Sequence, residues 1–213
     1  VPEISEIEKA ITDRTRAIMI NSPNNPTGAI YPEEFLRVLG KLCVERDLFV
    51  ISDEVYEKLV FDAPHFSIAS IEGMKERTAV INAFSKTYAM TGWRVGYSAT
   101  SMKLARAISK IQSHLSSNVN TMAQYAAVKA FEVDTSSMVE EFRKRRDYVI
   151  SRLEKIGLKF SKPAGAFYLF IDIRSFLGGR FRNSNDFAIG LLEEQKVGMV
   201  PGSAFSYEGF IRM

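Results

Sequence analysis

The sequence predicts an α/β fold: a mostly parallel sheet with helices on both faces over residues 1–135, followed by a smaller α+β unit over residues 136–213. Three observations carry this expectation. Up to Thr135, apolar runs alternate with stretches of helical period in strand, helix, strand order. Each of the first three strands runs into a cluster of polar residues, and a parallel sheet binds its ligands at that rim, outside the carboxyl ends of its strands. From Ser136 onward the pattern changes to one long amphipathic helix followed by short strands.

The elements follow in order. The run at 17–21 reads as a strand, and Ser22-Pro23-Asn24-Asn25-Pro26-Thr27-Gly28 as a turn. A helix is expected over 32–46, with Pro32 near its first position, where the missing N–H costs nothing. Strands follow at 48–52 and 79–84, separated by a loop containing Pro64, and 95–99 adds another. Helices are expected at 102–115 and 120–131. In the second unit a helix over 138–156 ends at Gly157, and strands at 159–161, 167–173 and 197–200 enclose a helix at 185–194. The chain opens on Val1-Pro2-Glu3 without an initiator Met and closes on a strand-like run, Gly209 to Met213, which reads as a segment of a longer protein.

Composition bounds the function. With 213 residues, 46% of them hydrophobic, the chain builds one substantial core or two smaller ones. No apolar run approaches the roughly 18 residues of a membrane span, and no signal-peptide pattern opens the chain, so a soluble cytoplasmic protein is expected. The single cysteine, Cys43, fits a reducing compartment and reads as a small buried hydrophobe. A net charge of +3, from 28 basic and 25 acidic residues, is too mild to imply a polyanionic partner. The dense cluster Arg143-Lys144-Arg145-Arg146 reads as a solvated helix face, so no nucleic acid is expected. His65 and His114 stand isolated, without metal-ligand spacing.

The polar residues at the strand ends carry the chemistry. After the first strand comes Asn25, after the second Asp53-Glu54-Val55-Tyr56, and after the third Lys86 among Ser85, Thr87, Ala89, Thr91 and Gly92. A lysine at the end of an apolar strand with small neighbours leaves room for a ligand at its amine. Each residue has a plainer reading, Asn24 and Asn25 as turn formers, Asp53 as a turn cap, Tyr56 as a rim aromatic, Lys86 as a strand-end lysine reaching water. Together, an acid, an amide, a phenol and an amine on one rim make a pocket with charges and hydrogen-bond donors.

The stretch Ala83-Phe84-Ser85-Lys86-Thr87-Tyr88-Ala89-Met90-Thr91-Gly92-Trp93-Arg94-Val95-Gly96 resembles the lysine signature of the class I/II aminotransferases, pyridoxal-phosphate enzymes of fold type I. NPTG at 25–28, DEVY at 53–56 and PGSAF at 201–205 join it in the family's order and spacing, so the resemblance covers nearly the whole chain. SPNNPTG, ISDEVYE and AMTGWRVGY bring it closest to the prokaryotic and archaeal aspartate/aromatic branch.

The resemblance implies pyridoxal 5'-phosphate as cofactor and Lys86 as the lysine that binds it covalently and then moves the proton at the substrate α carbon. It implies Asp53 for the pyridine nitrogen, Asn25 and Tyr56 for the phenolic oxygen, Ser85 and Arg94 for the phosphate, and Arg212, with Asn25, for the substrate carboxylate. Two departures stand out. Ala83 occupies a position where the family has Ser or Gly, which loses a phosphate hydroxyl, and Ser206 replaces an expected Gly in a shortened loop, which puts the geometry before Arg212 in question. The family's helix N-terminus for the phosphate, its aromatic on the pyridine ring and much of its dimer interface correspond to positions before Val1, so the segment alone is expected to bind cofactor weakly and a full-length homodimer to be active. The implied reaction exchanges an amino group between an amino acid, aspartate-like or aromatic, and a 2-oxo acid. A cofactor-binding domain of a transcription regulator and a lyase or synthase on the same fold are the alternatives.

Overall fold

The computed structural model describes residues 1–213. Two four-stranded sheets divide the chain. The first holds β1 (Ala17–Asn21), β2 (Phe49–Asp53), β3 (Thr78–Ala83) and β4 (Gly96–Ala99) in that spatial order. β1, β2 and β3 are parallel, with Ile20 opposite Ser52 and Ser52 opposite Val80, and β4 joins antiparallel with Gly96 opposite Ala83. All three parallel carboxyl ends therefore lie along one rim.

Helix α2 (Glu33–Glu45) covers one face of this sheet. It buries Leu36, Leu39, Gly40 and Cys43, a stripe at helical spacing, against Ile20, Leu48 and Val50. Burial pushes the Cys43 thiol up to about 11, so this cysteine is packing rather than chemistry. A short helix, α1 (Ile4–Ala10), was not expected from the sequence; its Glu6 carboxylate accepts the Glu3 N–H at 3.1 Å, and Ile4 and Ile7 pack onto the same core. On the opposite face Met19 is 72% exposed, so the expected helical cover is met on one side and open at this point on the other.

Beyond β3 the chain does not run straight on. The strand ends at Ala83 and Phe84–Thr87 make a single helical turn, α3, so Lys86 sits on a turn three residues past the strand rather than at its end. Phe84 and Thr87 are buried, and Phe84 packs with Val95 against Ala123, Ala127 and Ala130 of α5 (Thr121–Ala130), which fixes the turn and leaves Ser85 and Lys86 half-buried on its other side. Helix α4 (Met102–Leu115) buries no residue.

The second sheet is antiparallel in the order β5 (Lys159–Phe160), β6 (Phe170–Asp172), β8 (Phe210–Arg212), β7 (Val200–Pro201). Helix α6 (Ser136–Lys155) lays Ile150 and Leu153 on Ile171, Ile173 and Ile211, and α7 (Ser184–Gln195) starts at Asn183, whose side chain accepts the Asp186 N–H at 2.9 Å. The arginine cluster of α6 is not simply a solvated face. Arg146 is 6% exposed and grips Asp62 bidentately at 2.6 and 3.1 Å while donating to the Pro163 carbonyl, and Arg143 donates to the Phe61 carbonyl. A planar guanidinium can meet a carboxylate with both edges and lay its face on an aromatic ring, and that of Arg146 stands 4.7 Å from the centroid of Phe61. Only Lys144 and Arg145 of the four keep to the solvated role.

Between the sheets runs the segment Pro163-Ala164-Gly165-Ala166, tied by its backbone to both turns of the first sheet. Ala164 and Gly165 donate to the Gly28 carbonyl at 3.0 and 2.9 Å, Ala166 donates to Leu59, and Ala164 accepts from Phe61. Gly28 is required here twice over: its φ is +69°, and a Cβ would stand 2.2 Å from that of Pro163.

Candidate active site

The turn after β1 is built by its own asparagines. Asn24 shapes it, its carbonyl accepting the Gly28 N–H and its side-chain oxygen accepting from the Thr27 backbone and hydroxyl at 3.1 and 2.7 Å. Asn21, at the end of β1, accepts the Asn25 N–H at 2.8 Å and donates to the Asp53 carbonyl at 3.2 Å, which couples the first two strand ends. The Asn25 side chain is thereby freed from turn-forming and reaches Arg212, whose Nη1 donates to its Oδ1 at 2.6 Å. Because a guanidinium only donates, the atom facing it is the amide oxygen, and the Asn25 NH₂ remains a donor for another partner.

Asp53 closes β2 on the sheet face that also carries Asn21, and its Oδ1 accepts the Val55 N–H at 3.2 Å. The plain cap reading therefore holds for one oxygen. Tyr56 follows, 5% exposed, its hydroxyl 2.8 Å from that of Tyr168. Burial, the largest cause, pushes the Tyr56 phenol far above its ordinary value against the pull of Arg212, so it stays protonated and serves as a donor. The Phe167 ring stands edge-on to Tyr56 at 5.5 Å, and the Lys86 Nζ lies 5.5 Å from the centroid of the same Phe167 ring.

Arg212 reaches the site from β8. Its guanidinium is bracketed by Tyr168 at 4.4 Å and Phe205 at 5.0 Å, with Asn25 at one end. The substitution of Ser206 for glycine does not displace it: Ser206 itself takes the left-handed conformation, φ +57°, and the loop still delivers Arg212 to Asn25.

Of the sequence-predicted residues, Tyr56, Lys86 and Arg212 thus lie against the ring pair Phe167 and Tyr168, Asn25 joins them through Arg212, and Asp53 stands at the end of β2, three residues before Tyr56. Ser85 stands beside Lys86 on the same turn, whereas Arg94 is not drawn into that group. Arg94, in the left-handed conformation at φ +52°, donates to the Thr91 carbonyl at 2.8 Å and lines a cleft of about 870 Å³ with Gln112, Asn118 and Met122, of which Lys86 is not a wall. Phe167 and Tyr168 were missed from the sequence because 167–173 reads as one strand. The signal was Pro163-Ala164-Gly165-Ala166 just before them: two small residues and a glycine after a proline mark a close backbone approach, and β6 begins only at Phe170.

His65 is not isolated. It meets the fully buried Glu54 at 2.9 Å, and Glu54 also accepts the Ser52 and Ser67 hydroxyls at 2.8 and 2.7 Å. Glu54, Glu57 and His65 have atoms close enough to share a cation, but the Glu54 oxygens are already engaged by these three donors. The cluster holds the β2 exit to the loop over residues 65–67.

The gathered donors fit pyridoxal phosphate in its ring portion: a carboxylate for a protonated ring nitrogen, a protonated phenol and an amide for an oxyanion, and one amine beside them. The phosphate end is represented by Ser85, which stands next to Lys86 on the α3 turn, and by Arg94, which donates to the Thr91 carbonyl.

The family model for aminotransferase class I and II matches residues 3–213. An aspartate aminotransferase of Thermotoga maritima is 49% identical over 212 residues, all of this chain and 54% of that protein, and its crystal structure superposes with a TM-score of 0.93. A probable aspartate/prephenate aminotransferase of Aquifex aeolicus is 46% identical over 99% of this chain and 55% of its own length. The crystal structure of an aromatic aminotransferase from Pyrococcus horikoshii, 43% identical, gives a TM-score of 0.93 over 100% of this chain and 58% of that one. The chain spans about half the length of the relatives it matches. By sequence and by fold, the chain belongs to the class I and II aminotransferase family.

Proposed function

We propose that the protein carrying this chain is a pyridoxal-phosphate-dependent aminotransferase that moves an amino group between an aspartate-like or aromatic amino acid and a 2-oxo acid such as 2-oxoglutarate. The observation that supports the reading is Arg212, held by Tyr168, Phe205 and Asn25 while the same Tyr168 meets the Tyr56 hydroxyl. Arg212 lies on Tyr168 and the Lys86 amine on the neighbouring Phe167, a pairing of guanidinium and amine that suits an α-amino acid. The names of the relatives favour turnover over a ligand-sensing module or a lyase.

Bound at this rim, pyridoxal phosphate would supply an electron sink for negative charge at the substrate α carbon. The chain's residues do the rest. Asp53 holds the proton on the ring nitrogen through its second oxygen. Tyr56, kept protonated, and the Asn25 NH₂ donate to the phenolic oxygen. Arg212 spends Nη1 on Asn25 and offers its remaining N–H groups to the substrate carboxylate as a bidentate pair, which orients the α carbon toward Lys86. The Lys86 Nζ takes the α proton as general base and returns it as general acid. Ser85 and Arg94 serve the phosphate, with Arg94 turning from the Thr91 carbonyl to do so.

We further infer that residues 1–135 and 136–213 act as two units and that the full-length protein is a homodimer. The exposed apolar side chains of α4 and α5, among them Leu115, Met122, Tyr125 and Val128, support a large covered surface there. No helix is long and apolar enough to cross a membrane.

The test uses the full-length protein. Borohydride reduction of the cofactor-loaded form followed by peptide mapping is expected to place the pyridoxyl group on Lys86, and an amino-donor screen with 2-oxoglutarate as acceptor to identify the donor. A label on another lysine, or no transfer from any amino acid, overturns the reading.

A further inference from the structure

Tyr168 touches three residues of the site and lies in none of the motifs that single them out. Its hydroxyl is 2.8 Å from that of Tyr56, its ring lies 4.4 Å from the Arg212 guanidinium carbon, and it packs on Phe167 at 4.7 Å. Its position is set from behind: Ala166, fully buried, is bonded to Leu59 and so anchors the backbone two residues before it.

A phenol has a single proton to give. Between two hydroxyls at hydrogen-bond distance one donates and the other accepts, and the acceptor keeps its own proton for a third group. If Tyr56 gives its proton to a ligand oxygen, Tyr168 must be the donor of the pair. We propose that Tyr168 is a positioning residue that acts through Tyr56: its hydroxyl donates to the Tyr56 oxygen and so aims the Tyr56 proton at the phenolic oxygen of bound pyridoxal phosphate, while its ring seats the Arg212 guanidinium. The inference rests on the reading of the site as a pyridoxal-phosphate pocket. A donor chain of this kind polarises along its length, so the hydrogen bond that Tyr56 gives is stronger for the one it receives. Tyr56 is suited to the part because burial holds its proton in place at any physiological pH. The two contributions of Tyr168 are separable, since its hydroxyl serves Tyr56 and its ring serves Arg212.

The experiment follows the visible absorption band of the cofactor in the full-length holoenzyme as pH is varied. A donor on the phenolic oxygen stabilises the form in which that oxygen no longer shares the proton of the neighbouring nitrogen, so weaker donation raises the midpoint. Tyr168→Phe is expected to raise it by about half a pH unit or more. Tyr56→Phe should raise it further, and the double variant should match Tyr56→Phe, because the Tyr168 hydroxyl acts only through Tyr56. Maleate binding, measured by calorimetry, should stay within about twofold in Tyr168→Phe, which keeps the ring, and weaken by about fivefold in Tyr168→Leu, which does not. An unmoved midpoint in Tyr168→Phe, or shifts that add in the double variant, overturns the hydroxyl's role, and unchanged maleate affinity in Tyr168→Leu overturns the ring's. A parent protein without a titrating band would overturn the reading of the site itself, which separates that failure from these.

Discussion

Asp53 has two oxygens in two different situations. One accepts the Val55 N–H and keeps the turn after β2 closed, and the other is left for a ligand. Asp53→Ala is therefore expected to leave the cofactor bound through its other contacts while lowering the transamination rate by about two to three orders of magnitude, read from single-turnover kinetics beside cofactor absorbance. Near-normal turnover would remove Asp53 from the mechanism. The same division of labour explains which site residues were legible in the sequence. Asn25, Asp53, Tyr56 and Lys86 each follow a strand of a parallel sheet, and chain order alone puts them on one rim. Arg212 lies on the second sheet and Tyr168 just before it, both more than 80 residues from Lys86, and no periodicity reports such a meeting. Arg212 was reached through the family resemblance. Tyr168 was not reached, because an aromatic in a strand-like run reads as core.

Helix α4 is legible to the residue, since Met102–Leu115 carries an unbroken amphipathic period and Ser101 precedes it. The single turn Phe84–Thr87 is not, because four residues are too few to show a period and the apolar run from β3 passes straight into Phe84. Helix α6 was legible as a helix but not as a docking element. Its charge pattern predicts solvent, whereas Arg146 and Arg143 bind it to the Phe61-Asp62 loop. Asp62 answers three cations, Arg146, Arg143 and Lys162, and the Arg146 hydrogen bond holds its carboxyl below the ordinary 3.8. Since the folded carboxyl titrates below the unfolded one, its stabilisation is present above pH 3.8 and is lost as pH falls through the folded value. Asp62→Asn should cost about 1–2 kcal/mol at neutral pH in a denaturant titration, because Arg146 is left buried with a poorer partner while the half-exposed Asp62 is partly screened by water, and should flatten the acid limb of the stability curve. A variant as stable as the parent at pH 7 would show that Asp147 and the Pro163 carbonyl suffice.

Across the whole molecule, the buried core is split among several clusters, and among the most exposed large apolar side chains are Leu115 on α4, Met122 and Tyr125 on α5, and Met19 on the first sheet. This distribution suits a chain that buries further surface against more protein, and it is the part of the architecture least legible in sequence, because an amphipathic helix such as α4 declares an apolar stripe without declaring what covers it.

The stitching of residues 163–166 to Gly28, Leu59 and Phe61 has a mechanical meaning. Those amides belong to the first sheet's framework, whereas from Leu169, which exchanges both backbone bonds with Met213, the chain belongs to the second. Phe167 and Tyr168 lie at the changeover, and if the second sheet rocks against the first, Arg212 would swing about this aromatic pair. Amide hydrogen exchange in the full-length protein should report this as a sharp step. Ala164, Gly165 and Ala166 should exchange with the slow amides of β1 and β2, and Ile171, Ile211 and Met213 with the faster second sheet, while exchange at one common rate on both sides of Tyr168 would mean that the two sheets open as a single body.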